Sequence, residues 1–286
     1  MKTKSSPVLN VLRVFFARGP IIMISTAIIV LFIFAALFAP HLTPYSETDQ
    51  DLINAFAPIS REHLLGTDNF GRDLFTRILH GARVSMITSV LSSLIALSIG
   101  TTVGMIAGYF AGGVGQVIMR ITDAQLSIPP LIFSMTLAIA IGGGIVGVSF
   151  VIALGMLPTY VRVVNGLVLT LKENDYIVAG QLIGQRRWKI LAKHLLPNCF
   201  PSIIVLFTMN LGTAIMQEAS LSFLGIGITA PTPAWGSMVS EGYRYLFKSP
   251  MLALLPGVCV LLIVIAFNIV GDGLRDALDP KLRGKL

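Results

Sequence analysis

The amino-acid sequence predicts an all-α polytopic membrane protein with six transmembrane helices. Of its 286 residues, 54% are apolar and only 12% are charged, and the mean hydropathy is +0.81. A soluble domain is about 25% charged and has too little interior to hide so much apolar surface, so that class is excluded. The few charged residues also leave long charge-free runs, which have the length that a membrane span needs.

Five charge-free runs locate the spans. A helix crosses about 30 Å of hydrocarbon with about 20 residues. The third run is long enough for two helices and is interrupted by three consecutive glycines, so we divide it there. The runs are 19–46, 84–119, 124–161, 194–217 and 249–271. The predicted transmembrane helices are 20–40, 86–110, 126–141, 145–164, 200–222 and 251–271.

The distribution of Lys and Arg predicts the orientation. Six spans put both termini on one side of the membrane. The segments on that side hold fifteen Lys and Arg, against six on the other side. The positive-inside rule therefore makes both termini cytoplasmic, and the net charge of +7 is a topology signal rather than a sign of nucleic-acid binding. The predicted organisation is a cytoplasmic segment (1–19), a first span (20–40), an outer segment (41–85) and a transmembrane domain (86–286) with a cytoplasmic loop at 166–197.

Small residues predict how the second span packs. Gly100, Gly104, Gly108 and Gly112 recur at every fourth residue and form a smooth stripe on one helix face. A neighbouring backbone can approach such a stripe closely. Packing within the chain is the favoured interpretation, and a subunit interface is the alternative. Pro158, inside the fourth span, predicts a kink.

The segment before the second span, residues 63–86, contains turn-forming residues and a helix start. Gly66 to Asp68 and Gly71 favour turns, and Asp73 is suited to begin a helix. We interpret that helix as an interfacial one that positions the second span.

The loop at 166–197 predicts two short amphipathic helices around a glycine. Asn174 or Asp175 can begin the first helix and Gly184 can end it. The second helix runs from Arg187 and ends before Pro197, with basic residues at its polar positions. An apolar face rimmed by cations suits either the bilayer surface or a groove in a partner protein.

Residues 221–245 predict a structured outer loop. Its Gly and Pro content and Trp235 suggest a segment that dips to the membrane interface. Glu218 lies just before it, inside the fifth span. An ionisable group at that depth is a functional candidate, and a structural hydrogen bond to a neighbouring helix is an equal alternative.

Motifs of catalysis and of cofactor binding are missing. The sequence has no G-x-x-x-x-G-K-[ST] phosphate loop, no H-E-x-x-H and no C-x-x-C, and its four histidines are scattered. Cys199 and Cys259 lie in apolar stretches and form no disulfide framework. We predict no catalysis, no cofactor and no metal site, so any active transport draws its energy from a bound partner or an ion gradient.

The cytoplasmic loop resembles a known family motif. Residues 176–197, YIVAGQLIGQRRWKILAKHLLP, resemble the EAA loop of permease subunits of binding-protein-dependent ABC importers. Ala179, Gly184, Leu196 and Pro197 match that pattern, whereas Val178 stands in place of its acidic residue and Gly180 in place of its second alanine.

Further blocks narrow the resemblance to the second permease of dipeptide or oligopeptide importers. They are HLLGTDNFGRDLFTRILHGARVSM, EASLSFLGIG, PTPAWGSM and FNIVGDGLRDALDPKLRG, in this order along the chain. The resemblance covers about residues 20–284 and implies a MetI-like ABC permease fold.

The resemblance implies a non-catalytic subunit of the bacterial inner membrane, without a cofactor, that carries di- or oligopeptides. Nickel, glutathione or another peptide-like solute is the alternative cargo. The implied partners are a second permease, two ABC ATPase subunits, a periplasmic or lipid-anchored substrate-binding protein that meets the outer loops 41–84 and 223–250, and membrane lipid. The cargo path lies between the two permeases, and Glu218 is a candidate for it.

In this family the EAA loop is a coupling helix that sits in a cleft of the ATPase. Among its residues, Trp188, Ile190 and Leu191 are the expected contacts. The residues that the resemblance assigns to the coupling loop are Tyr176, Ala179, Gly180, Gly184, Trp188, Ile190, Leu191, Leu196 and Pro197.

Two other classes of protein remain as alternatives. An ion-coupled secondary transporter needs more buried charge and inverted repeats, and we detect neither. A membrane-embedded enzyme needs a nucleophile and a base within reach of each other, and no such pair is evident.

Overall fold

A computed structural model of the chain describes residues 14–16 and 19–278, so the predicted cytoplasmic segment 1–19 lies almost entirely outside the described residues. Over the described ranges the chain is helical, apart from loops and one isolated bridge between Thr67 and Asp73. A short 3₁₀ helix covers Leu52–Asn54. The α-helices are α1 (Pro20–Leu42), α2 (Leu74–Tyr109), α3 (Gly113–Leu126), α4 (Pro130–Ile141), α5 (Gly144–Leu171), α6 (Asp175–Leu182), α7 (Arg187–Ile190), α8 (Leu196–Phe223), α9 (Trp235–Tyr243) and α10 (Met251–Leu278).

Five helical stretches are each long and apolar enough to cross a membrane: α1, α2, α5, the stretch from α7 to α8, and α10. The sixth span is divided. Helices α3 and α4 meet at an angle of 93° around residues 127–129, and together they pass the same test of length and composition. Because α4 has only 12 residues, about 18 Å of helix, it is too short to span alone. The predicted straight third span at 126–141 is therefore wrong in form, and six spans result when the bent pair counts as one.

The second span begins earlier than predicted. Asp73 is the N-cap of α2, and its Oδ2 accepts a hydrogen bond from the backbone N–H of Thr76 at 2.8 Å. The helix then continues without a break for 36 residues, about 54 Å. Asp73 is confirmed as the helix start. The separate interfacial helix and the span start at residue 86 are wrong, because both belong to one helix that is longer than the hydrocarbon core is thick.

The glycine stripe of α2 packs within the chain, as predicted. A Cβ on Gly100 would lie 2.5 Å from Tyr160 Cβ, and one on Gly104 would lie 2.8 Å from the Val161 carbonyl oxygen. Gly108 meets Val168 in the same way, so α2 and α5 touch backbone to backbone along three helical turns. The stripe ends there, because nothing lies within 4 Å of a Cβ on Gly112.

Pro197 does not end a helix, which corrects a second prediction. Residues Leu191–Leu195 form a π-helical turn, and the backbone N–H of Leu196 bonds to the Leu191 carbonyl. Pro197 then occupies the first turn of α8, where its missing N–H breaks no ladder bond. The wide π turn directly before it accommodates the ring, so α7 and α8 form one long helical stretch.

Trp235 lies inside the protein and not at a membrane interface. It is fully buried at the start of α9, and its Nε1–H donates to the Ile78 carbonyl of α2 at 3.1 Å. The ring also contacts the edge of Phe32 of α1, with 5.2 Å between centroids. The prediction of an interfacial Trp is wrong, since an aromatic ring can satisfy its N–H against a neighbouring helix as well as against headgroups.

A buried charge cluster joins α2, the loop that precedes it, and α9. The cluster consists of Asp68, Arg72, Arg77 and Glu241. Arg72 donates from Nε to Asp68 Oδ2 at 2.6 Å and from Nη2 to Glu241 Oε2 at 3.0 Å. The guanidinium of Arg77 lies 3.5 Å from the same two carboxylate oxygens. Both arginines are buried, so these carboxylates hold the two loops together at the end of the bundle where α2 begins.

Candidate functional site

The end of the bundle where α2 finishes carries a helix–turn–helix segment, the elbow, which we define as residues 175–195. It consists of α6, a turn, α7 and the π turn. Asn174 occupies the N-cap position of α6, but its side-chain amide donates to the Leu171 carbonyl and does not cap the helix. Asp175 lies in the first turn, where its negative charge suits the helix dipole.

Gly184 ends α6 as predicted, through its backbone conformation. Its φ is +75°, in the left-handed region. Its N–H bonds to the Gln181 carbonyl and the N–H of Gln185 bonds to the Gly180 carbonyl, both at 3.0 Å. This bond pair is the Schellman motif. Nothing lies within 4 Å of a Cβ on Gly184, so the glycine is needed for the direction of the turn and not for space.

One side of the elbow packs into the bundle. Ile177, Leu195, Ile190 and Leu191 are buried, and the last two are only 1% and 2% exposed. They belong to an apolar cluster that includes residues of α5 and α8. The interpretation of Ile190 and Leu191 as contact residues for a partner is therefore wrong for the folded chain. These two side chains attach the elbow to the spans.

The other side of the elbow is an open apolar surface. Leu182 and Ile183 are each 83% exposed, and Trp188 is 66% exposed. Tyr176 and Val178 are exposed beside them. Sequence reasoning identified Tyr176 and Trp188 but missed Leu182 and Ile183. A signal was present, because two consecutive apolar residues directly before a helix-ending glycine cannot both point into the same core.

The rest of the elbow is polar and basic. Arg186, Arg187, Lys189 and Lys193 are exposed and rim the apolar surface. The Arg187 guanidinium lies 5.6 Å from the centre of the Phe110 ring. Together with Gln181 and Gln185, these two residues line an open cleft of about 430 Å³ between the elbow and the end of α2. The elbow thus combines a hydrophobic face with positively charged edges.

The remaining predicted loop residues lie at the base of the elbow. Ala179 is exposed, Gly180 is buried, Leu196 is half-buried, and Pro197 is exposed at the start of α8. The two arms are joined by side chains, since Asn198 Nδ2 donates to the Tyr176 hydroxyl at 3.4 Å and Gln185 meets His194 at 3.3 Å.

Glu218 faces the interior of the bundle. It is 0% exposed, and its Oε1 accepts a hydrogen bond from Ser222 Oγ at 2.7 Å. Ser222 Oγ in turn accepts from the backbone N–H of Ile228 at 2.9 Å. Oε2 has no hydrogen-bond partner among the described residues. This arrangement is the structural one of the two interpretations, because Glu218 ties the end of α8 to the loop that follows and has no open surface.

The described residues contain no metal-binding constellation. In that part of the chain, no three His, Cys, Asp or Glu side chains come together in a way that would hold a metal ion. The chemistry of the elbow is therefore that of a docking surface, with apolar contacts and cations.

Comparison with known proteins gives two family matches. Residues 100–284 match the family described as binding-protein-dependent transport system inner membrane component. Residues 7–58 match the N-terminal transmembrane domain of oligopeptide transport permease C. The first match alone covers more than half of the chain and includes the elbow.

Individual proteins are similar over nearly the whole chain. The glutathione transport system permease protein GsiD of Escherichia coli O6:K15:H31 (strain 536) is 39% identical over 270 residues, which are 94% of this chain and 89% of that protein. The dipeptide transport system permease protein DppC of Alkalihalophilus pseudofirmus is 39% identical over 266 residues, with coverages of 93% and 88%.

The fold has a solved counterpart. A chain of the methionine ABC transporter MetNI, in an inward-facing conformation, superposes with a TM-score of 0.60 at 18% identity, over 72% of this chain and 98% of that one. At this identity the likeness concerns the fold alone. The predicted MetI-like permease fold is confirmed.

Proposed function

Since the chain belongs to the family of binding-protein-dependent transport system inner membrane components, we propose that it forms, with a second permease, a path for di- and oligopeptides or similar solutes. It is a non-catalytic transmembrane subunit of an ABC importer. The relatives that are 39% identical are named for glutathione and for dipeptides, and both solutes are peptide-like. A permease of this family implies a partner permease, ATP-binding subunits and a substrate-binding protein.

The elbow is the surface that we assign to the ATP-binding subunit. Leu182, Ile183 and Trp188 are the observation that carries this assignment, because large apolar side chains exposed on one compact protrusion mark an interaction site. The four cations around them favour a groove with an acidic edge. Val178 adds another exposed apolar side chain where the family motif has an acid, so docking in this chain depends less on an ion pair.

The buried side of the elbow explains how docking could move the spans. Ile177, Ile190 and Leu191 pack against α5 and α8 through one apolar cluster, and the π turn continues directly into α8. A packed cluster transmits displacement because it resists compression. Closure of two ATP-binding subunits would therefore move α5 and α8 as rigid bodies, which is the motion that alternating access requires.

The double substitution Leu182→Asp with Ile183→Asp tests the docking surface. We expect the affinity for the ATP-binding subunits to fall about 100-fold, since two central apolar contacts at about 1.5 kcal/mol each are lost. The fold should be unaffected because both side chains are exposed. The measurement is copurification of the ATP-binding subunits with the tagged chain from solubilised membranes.

The matched control is Leu52→Asp with Ile53→Asp, which changes the same residue types at 69% and 94% exposure at the other end of the bundle. These substitutions should leave copurification intact. Equal loss in both variants, or in neither, would contradict the docking assignment.

The orientation in the membrane gives a separate prediction. We propose that both termini are cytoplasmic and that the segment around Asp51 is periplasmic, because the Lys and Arg residues are concentrated on the terminal side. Alkaline phosphatase, which is active only outside the cytoplasm, should be inactive when fused after Leu286 and active when inserted near Asp51. The reverse pattern would place the elbow outside the cell and remove it from any ATP-binding subunit.

A further inference from the structure

One face of α8 is open along much of the helix. Thr213, Met216, Phe223 and Leu224 are exposed, with Gln217 and Ser220 half-buried between them. Their spacing of three and four residues places all of them on one side. Glu218 follows Gln217 by one residue, a rotation of about 100°, and faces the interior instead.

This face carries a polar group that does not suit lipid. Exposed hydroxyls elsewhere on the spans, such as Ser98 and Thr136, donate to the carbonyl four residues earlier. Ser220 does the same, with Met216 as its acceptor at 2.7 Å. Gln217 Oε1 is buried and has no hydrogen-bond partner among the residues that the structure describes. An amide oxygen left unpaired in hydrocarbon is strongly unfavourable.

A second unpaired polar atom lies beside it. Ser134 of α4 is fully buried, and its Oγ likewise has no partner within the described ranges. Both atoms lie next to Gly155 of α5, since a Cβ there would be 3.0 Å from Ser134 Oγ and 3.9 Å from Gln217 Oε1. Three helices thus bring two unsatisfied oxygens to a residue without a side chain, and so form a small polar subsite.

An apolar pocket adjoins the same face. Its volume is about 370 Å³, and it is lined by residues of four helices. Met216 and Ser220 belong both to the pocket and to the face of α8. None of the described residues that line the pocket is charged. The other helices contribute Leu131, Val239 and Gly257.

We propose that this face of α8 contacts the cargo, with Gln217 and Ser134 accepting a backbone N–H of a peptide-like solute and the pocket receiving an apolar side chain. The inference rests on the proposed function and names the residues that read the cargo. Two unpaired oxygens match the donor that every peptide bond except one to proline provides. The absence of charge from the pocket lining favours a backbone group with an apolar side chain over a charged terminus. The other possible occupant of the face, a helix of the second permease, is an outcome of the test.

Photocrosslinking in the intact importer tests the proposal directly. Thr213 is replaced by p-benzoylphenylalanine, and proteoliposomes with the complete complex and the binding protein receive ATP and tritiated trialanine or tritiated glutathione. We expect tritium to be attached to the chain at position 213 and not at Val30 of α1, an exposed control position. Capture of the second permease alone, or of lipid alone, would overturn the proposal.

Gln217→Leu provides the functional arm, with Thr136→Val as the control for loss of a polar group on an exposed helix face. We expect kcat/KM for uptake to fall about tenfold in Gln217→Leu and to stay unchanged in Thr136→Val, with normal assembly and basal ATP hydrolysis in both. Unchanged uptake in Gln217→Leu, or loss of assembly, overturns the cargo contact and leaves the proposed function standing. If the unmodified importer takes up neither probe, the proposed function itself fails, and the cargo contact with it.

Discussion

Gly184→Pro is expected to abolish copurification of the ATP-binding subunits while the chain remains folded in the membrane. Proline holds φ near −65°, whereas Gly184 has a φ of +75°. Proline also removes the N–H that bonds to the Gln181 carbonyl. The Schellman motif cannot form, so α6 no longer ends at Leu182, and the apolar surface of Leu182, Ile183 and Trp188 is broken up.

The effect should be confined to the elbow. Nothing lies within 4 Å of a Cβ on Gly184, so the substitution creates no clash with the bundle. The strain of a disallowed backbone is about 1–3 kcal/mol and can be released by unwinding the exposed turn. We therefore expect normal amounts of chain in the membrane, an unchanged melting temperature in detergent, and ATP-binding subunits at background level in the purified sample.

Two substitutions serve as controls for this variant. Gly184→Asn keeps docking, because Asn tolerates the left-handed region better than other residues with a side chain. Gly166→Ala in α5 also changes a glycine with open space around it, but one in ordinary helical conformation, and should be neutral. An importer with Gly184→Pro that assembles and transports like the unmodified one would exclude the elbow as the coupling element.

Asp68→Asn is expected to destabilise the protein by about 3–5 kcal/mol, because it leaves two buried arginines with too little negative charge. Asp68 accepts hydrogen bonds from Arg72 Nε and from the backbone N–H groups of Phe70 and Arg72. Arg77 depends on the same carboxylate, at 3.5 Å. With Asn at this position, Glu241 is the one carboxylate left to the two guanidinium groups of the defined charge cluster.

The measurement is thermal unfolding of the purified chain in detergent, where a loss of this size corresponds to a decrease in melting temperature of about 10 °C. The control is Asp123→Asn. Asp123 pairs with Arg162, but both side chains are more than half exposed, and such pairs contribute about 1 kcal/mol or less. If the two variants melted at similar temperatures, the buried charge cluster would not be what holds α9 against the start of α2.

Much of the fold could be predicted from the sequence because membrane spans are local properties. A run without charges is apolar wherever it packs, so the existence of α1, α5, α8 and α10 followed from hydropathy alone. Gly184 and the stripe at Gly100, Gly104 and Gly108 were also predictable, since a turn of that hand and a close helix contact each favour glycine. The element boundaries were less accurate, as the earlier start of α2 shows.

The candidate sites depended on more than local pattern. The sequence identified the elbow and its basic rim, but not which of its apolar residues face outward. Ile190 and Leu191 were expected at the surface and are buried, whereas Leu182 and Ile183 were overlooked and are the most exposed apolar residues of the elbow. Short helices of this kind have no periodicity long enough to show which neighbours they pack against.

What the sequence by itself determined is the class of protein, the number of spans and the position of the elbow, because charge spacing and glycine placement act over a few residues. Only the tertiary structure decided the pairing of Asp68 with Arg72 and Arg77, the burial of Trp235 against α2, and the meeting of Ser134, Gly155 and Gln217. The physical reason is that these arrangements join residues far apart in the chain, and their energies depend on distances that no local sequence pattern specifies.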